Sequence, residues 1–150
     1  MILKKIISGG QTGADQAGLD AGVDLGLETG GWIPKGRRTE AGPMSQDHMI
    51  LYGLKEHRDA SYAPRTLENV IDSDGTALIG NISSSGSKLT INVCESRGKP
   101  FIINPTTEQL KAWLAERNIE VLNVAGNRES VNPGIGQLVY DTLVSLKEGV

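Results

Sequence analysis

Apolar residues fall along this chain in short runs, each closed by glycine or polar residues. Residues 2–8, ILKKIIS, form a compact run rich in β-branched side chains and predict a strand. The following ADQAGLDAGVDLG places Ala17, Ala21 and Leu25 four apart, the spacing of one helix face. GTALIGN (75–81), KPFIIN (99–104) and EVLNVAG (120–126) predict three more short buried strands bounded by turn residues. Behind FIIN, Pro105 and Thr106 precede Gln109, a capping-box pattern that opens a helix through Leu110, Trp113 and Leu114. Behind NVAG, with Pro133 and Gly134 near its start, a last helix aligns Ile135, Leu138, Val139, Thr142, Leu143 and Leu146 on one mostly apolar face.

Residues 28–62 follow this rhythm least well. They mix glycine, proline and charge, and predict a short strand at 29–33, a long loop, and another strand near 57–61. The recurrence of strand, loop and helix elsewhere implies right-handed crossovers and a mainly parallel sheet with helices on both faces. The expected fold is a Rossmann-like three-layer α/β/α sandwich, with residues 1–150 as a single ligand-binding domain. A chain of 150 residues buries roughly 70% of its unfolded surface, so such a domain needs no covalent staple.

Composition removes several classes of function. A net charge of −3 and 4% aromatic residues provide neither a basic footprint nor stacking platforms, so nucleic acid is not an expected partner. Cys94 is the single cysteine, which excludes an internal disulfide. His48 and His57 lie in polar sequence with no CxxC or HxxxH spacing near them, so no protein-ligated metal is expected. With no secretion-like leader and no apolar run of membrane-spanning length, the chain is expected to be cytoplasmic and not membrane-bound.

Candidate chemistry lies where strands end. SGGQTGAD (8–15) joins the first strand to the first helix, a position where backbone N–H groups and a helix N-terminus gather at the carboxyl edge of a sheet. Gly9, Gly10 and Gly13 would let a phosphate approach the backbone. Ser8 and Thr12 offer hydroxyls, Gln11 an amide, and Asp15 a carboxylate for the loop or a sugar hydroxyl. The stretch is neither GxGxxG nor GxxxxGK[ST], and taken alone it also fits a plain tight turn. Two further strand ends carry similar residues. ISSSGSKLT supplies Ser83, Ser84, Ser85, Gly86, Ser87, Lys88 and Thr90, while NRESVNPGIG supplies Asn127, Arg128, Glu129 and Ser130, so a common crevice is expected for a phosphorylated small molecule.

PKGRRTE adds Lys35, Arg37, Arg38 and Glu40 on the long loop, where cations can close over an anion or simply meet solvent. YAPRTLENVIDSDG adds Tyr62, Arg65, Thr66, Asn69 and Asp72, with Arg65 and Asn69 on one helix face and structural capping as the competing role. Trp32 and Trp113 read as packing residues, Trp32 with the further option of stacking a flat ring. Cys94 reads as core rather than nucleophile.

SGGQTGADQAGLDAG, TGGWIPKGR, YAPRTLENVIDSDGT and the closing NVAGNRES with PGIG, taken in order, resemble the molybdenum-carrier family, a YpsA-related branch of the SLOG superfamily. The resemblance covers nearly the whole chain. It implies a Rossmann-like fold, self-association into a homo-oligomer, and binding of molybdenum cofactor, a phosphorylated pterin whose own dithiolene sulfurs hold the metal. By resemblance Gly9, Gly10, Thr12, Gly13 and Asp15 would hold the phosphate end, with Arg37, Ser87 and Thr90 nearby. Other SLOG members resemble one another through PGGxGTxxE and cleave the base-to-ribose bond of nucleotides, and some sense nucleotides. Here the corresponding loop reads SSSGSKLT and Glu95 comes too late, which lowers the case for glycosidic cleavage. Asp15, Glu40 and Asp72 remain as carboxylates for such a reaction. A non-catalytic binder is the first expectation and a nucleotide-processing enzyme the second.

Overall fold

Strand and helix alternate through residues 2–147, the residues that the computed structural model describes. The order is β1 (Lys5–Ile7), α1 (Ala14–Asp24), β2 (Glu28–Ile33), α2 (Gln46–Tyr52), β3 (Leu54–Glu56), α3 (Tyr62–Asp72), β4 (Gly75–Ile79), α4 (Ser85–Arg97), β5 (Phe101–Ile103), α5 (Thr107–Glu116), β6 (Val121–Gly126) and α6 (Ile135–Val144). The six strands form one sheet in the order β3-β2-β1-β6-β4-β5, and every neighbouring pair is parallel. This is the Rossmann-like α/β/α sandwich that the alternation implies.

Burial explains why these runs become strands. All five residues of β4 are buried, as are Ile6, Ile7, Leu122, Asn123 and Val124, because the central strands are covered on both faces. On one face α1, α5 and α6 close a core of Ala14, Ala17, Ala21, Leu110, Leu114, Val139 and Leu143 over Ile6, Leu122 and Val124. On the other face α3 and α4 pack side by side against the sheet. α5 starts at the expected capping box. Thr106 Oγ1 accepts from Gln109 N at 3.1 Å, and Gln109 Oε1 accepts from Thr106 N at 3.0 Å.

The segment between β2 and α3 departs from expectation. The strand expected near 57–61 lies at Leu54–Glu56, and the long loop contains α2. Ser45 caps α2 by accepting from His48 N, and Gly53 ends it with φ of 67°. α2 and β3 bury Met49, Tyr52 and Leu54 beside Leu19, Ile33 and Met44, a second apolar cluster at that edge of the sheet. The last helix differs in one respect as well. Ile135, Val139, Leu143 and Leu146 are buried, whereas Leu138 turns outward at 54% exposure.

Leu143→Ala should therefore cost about 2–5 kcal/mol of unfolding free energy, and Leu138→Ala no more than about 0.5 kcal/mol. Urea denaturation of both variants measures the difference, and equal costs would contradict the observed orientation of α6.

Candidate functional site

In a parallel sheet all carboxyl ends lie on one edge, and here those of β1, β6 and β4 are adjacent. A crevice of about 420 Å³ opens over them. The turn after β1 contributes Gln11 and Asp15, α3 contributes Tyr62, Arg65 and Thr66, and the start of α4 contributes residues 84–87, 89 and 90. Ala125, Gly126, Asn127, Arg128 and Val131 follow from β6 and its loop, and Leu78 forms part of the floor. Gln11, Asp15, Gly86, Ser87, Thr90, Asn127 and Arg128 among the sequence candidates are thus brought together, whereas Gly10, Thr12, Gly13, Lys35 and Arg37 do not line this crevice.

The glycine-rich turn after β1 is engaged mainly by the protein itself. Gly13 caps α1 with φ of 78°, and a Cβ there would lie 2.6 Å from Asn127 O. Asn127 O accepts from Ala14 N at 3.1 Å, so the first turn of α1 is met by the loop after β6. A Cβ on Gly10 would point at Ile33 and Leu54 in the second apolar cluster, at 2.9 and 3.2 Å, rather than toward the crevice. Thr12 Oγ1 donates to Glu40 and accepts from Glu129 N at 3.2 Å. Gln11 Oε1 accepts from Thr12 N and from Glu40 N. Turn and helix start are held shut against neighbouring loops.

The N-terminus that faces the crevice belongs to α4. Ser84 Oγ caps Ser87 N at 3.3 Å and Lys88 N bonds Ser84 O, while the N–H groups of Ser85 and Gly86 have no partner inside the helix. Gly86 has no heavy atom within 4 Å of where a Cβ would stand. Asn127, although buried, is occupied by structure. Its side chain joins Asn81 N at 2.6 Å, Asn81 O at 3.1 Å, Ser84 Oγ at 3.3 Å and Asn132 at 3.1 Å. It fixes the start of α4 against the loop after β6.

Arg65 dominates the opposite wall. Its side chain is 13% exposed, its Nη1 donates to Thr66 Oγ1 at 2.6 Å, and its Nη2 stands 3.8 Å from Asp15 Oδ2. Its Nε is buried without a hydrogen-bond partner. The guanidinium lies on Gly9, where a Cβ would come within 2.5 Å of Nε, so the first glycine of the turn makes room for this cation. A cavity of about 20 Å³ behind it is lined by Gly9, Asn69, Thr90 and Asn123 among others. Burial lowers the Arg65 pKa and the Asp15 charge acts against that shift. Burial raises the Asp15 carboxyl, against the pull of Arg65 and of the Gln11 and Gly9 N–H groups. Tyr62 adds its ring face, with Arg65 at 5.3 Å and Arg38 at 4.6 Å from the centroid.

The remaining candidates lie away from this centre. Lys35 is exposed, with its backbone N–H on Asp59 O, and Arg37 Nε donates to Met44 O at 2.6 Å, closing the loop onto itself. Trp32 Nε1 donates to Asp72, and Lys55 stands over its ring. Glu95 is exposed on α4 outside the crevice, and Cys94 is fully buried. Tyr62, Arg65, Thr66 and Ser84, candidates in the sequence as well, stand at this crevice. The four-residue interval from Arg65 to Asn69 puts both on the sheet-facing side of α3.

A six-stranded parallel sheet covered by helices on both faces, with a polar crevice over its carboxyl edge, defines a Rossmann-like three-layer α/β/α protein. The chain belongs to the circularly permuted YpsA SLOG family, whose model matches residues 6–147. It is similar to the crystal structure of a protein named putative molybdenum carrier protein from Syntrophus aciditrophicus SB. The two share 39% sequence identity over 97% of this chain and 96% of that one, with a TM-score of 0.88. No curated protein matches the chain.

Gly13→Ala forces a side chain against Asn127 O at a φ that L-residues avoid, and should destabilise the fold by more than about 1 kcal/mol in urea denaturation. Hydrogen bonds from Ser130 and Thr12 hold the Glu40 carboxyl below the usual glutamate range. A lowered folded pKa gives stability that is present above the ordinary range and lost as pH falls through the folded value. The stability difference between wild type and Glu40→Gln should accordingly shrink on acidification, and a pH series of urea unfolding curves reads it.

Proposed function

We propose that this chain binds and carries a phosphorylated small molecule, with the phosphate seated between the first turn of α4 and the guanidinium of Arg65, and that its cargo is molybdenum cofactor. The observation that carries the reading is Arg65, a buried cation at the crevice wall with one carboxylate at 3.8 Å and an Nε without a partner. An isolated buried charge is costly, and an incoming anion relieves that cost. The free N–H groups of Ser85 and Gly86 offer the complementary donors at a helix N-terminus, and Arg128 adds a half-exposed cation at the rim. A volume of about 420 Å³ suits a small heterocyclic ligand.

The choice of molybdenum cofactor leans on the family and on the name of the similar Syntrophus aciditrophicus protein. Such a cargo brings its own sulfur ligands. That suits a chain whose described residues contain no group of three or more His, Cys, Asp or Glu placed to hold a metal ion. A second reading, cleavage of a nucleotide at its base-to-ribose bond, is favoured by Asp15 alone. Of Asp15, Glu40 and Asp72 only Asp15 lines the crevice, and burial keeps its carboxyl raised toward the protonated form that such a step uses as an acid.

Gentle anaerobic purification followed by mass spectrometry, metal analysis and pterin fluorescence tests the cargo. A phosphorylated pterin with near-stoichiometric molybdenum is the expected result, and a nucleotide without molybdenum would transfer the assignment to nucleotide sensing or cleavage. For the seat itself, Gly86→Val adds bulk to an open wall without a packing clash. It should weaken binding of the phosphorylated ligand at least about tenfold in calorimetry while the melting temperature holds, and undiminished affinity would remove α4 from the site.

A further inference from the structure

Glu40 does not line the crevice, yet it touches the segments that do. Its carboxylate accepts hydrogen bonds from Thr12 Oγ1, Ser130 N at 3.2 Å and Ser130 Oγ, and stands 4.0 Å from Arg128 Nε. Its own N–H donates to Gln11 Oε1 at 2.8 Å, and Thr12 Oγ1 in turn accepts from Glu129 N at 3.2 Å. These contacts close a ring through three segments that are 28 and 90 residues apart in sequence from Glu40. The loops after β1 and β6 are already joined by the Ala14 N to Asn127 O backbone bond, and it is the 34–45 connection that meets them through side-chain bonds. Although it arises from a surface loop, the Glu40 side chain is only 17% exposed.

From this ring we infer that Glu40 is a positioning residue for the crevice: its carboxylate latches Thr12, Ser130 and Arg128 together and so ties the 34–45 connection to the loops after β1 and β6, while its backbone N–H separately holds Gln11. The latch stands on the contacts themselves, and only its consequence for affinity rests on the binding reading above. The chemistry requires an acceptor-only group. Thr12, Ser130 and Arg128 all present donors to the carboxylate, so a Gln at this position would set an amide NH₂ against one of them. Glu40→Gln should therefore loosen the carboxylate contacts in part and Glu40→Ala remove them, leaving the backbone bond to Gln11 in place.

Hydrogen exchange of the unliganded full chain decides the matter. In Glu40→Ala, amides of residues 36–44 and 128–132 should exchange at least about tenfold faster, rising together, while those of α5 stay as in wild type. Glu40→Gln should show a smaller rise in the same two segments, which keeps the test available if the alanine variant fails to fold. Unchanged exchange in either segment overturns the latch. Titration with inorganic phosphate then reads the consequence. Glu40→Ala should weaken phosphate binding in wild-type background and add nothing once Arg128→Ala is present, and undiminished phosphate affinity would overturn the positioning role. Absence of phosphate binding by the wild-type chain, together with the paired rise in exchange in the Glu40 variants, would remove the anion-binding reading and leave the latch standing.

Discussion

The carboxyl edge of this molecule depends on one pairing constraint, the parallel insertion of β6 between β1 and β4. In a sheet that simply continued outward, the loops after β1 and β4 would meet directly. Here a third loop is wedged between them, and it enters as backbone. The carbonyl of Asn127 closes the start of α1, while the Asn127 side chain reaches the other way to the loop after β4. The start of α1 is filled in consequence and the start of α4 is left open. The position of β6 thus selects which helix N-terminus opens toward the crevice.

Arg65 is the electrostatic counterpart of that arrangement. A guanidinium this deeply placed would ordinarily be matched by a bidentate carboxylate, but Asp15 approaches at 3.8 Å and its charged form is itself disfavoured by burial. Neither partner fully satisfies the other. A folded protein keeps such a pair where the surrounding structure is strong enough to carry it, here α3 packed against α4 and the sheet. The unpartnered Nε lies against Gly9, while the rest of the side chain forms part of the crevice wall.

Central strands were legible in the sequence because burial on both faces leaves continuous apolar runs, and the Thr106 with Gln109 signature located α5 to the residue. The β2-to-α3 segment was not. β3 buries only Leu54 of its three residues, and α2 exposes Ile50 and Leu51, so neither element shows its proper period. Ser45 and Gly53, the two caps of α2, were the usable signals. At the crevice, the positions of Asp15, Ser87 and Arg128 followed from the rule that loops after parallel strands share an edge. Arg65 could not be placed this way, since its setting arises from a guanidinium lying on Gly9, a contact 56 residues distant that leaves no periodic trace. The glycines of SGGQTGAD illustrate the same limit. Their presence announces close approach, and which groups stand beside them (Arg65 at Gly9, Ile33 and Leu54 at Gly10, the Asn127 backbone at Gly13) depends on contacts distant in sequence.

The central place of β6 also shapes the order in which the chain becomes a protein. During synthesis, β1 with β2 and β3 emerges first, then β4 with β5, and these two ribbons share no strand pairing in the finished sheet. They acquire a common hydrogen-bonded frame only when residues 121–126 arrive and pair with both. Until that moment each ribbon carries an unpaired inner edge, the kind of surface that invites pairing with other chains. The crevice, which draws part of its lining from β6 and the loop after it, is therefore complete only once the chain through residue 131 has joined the sheet.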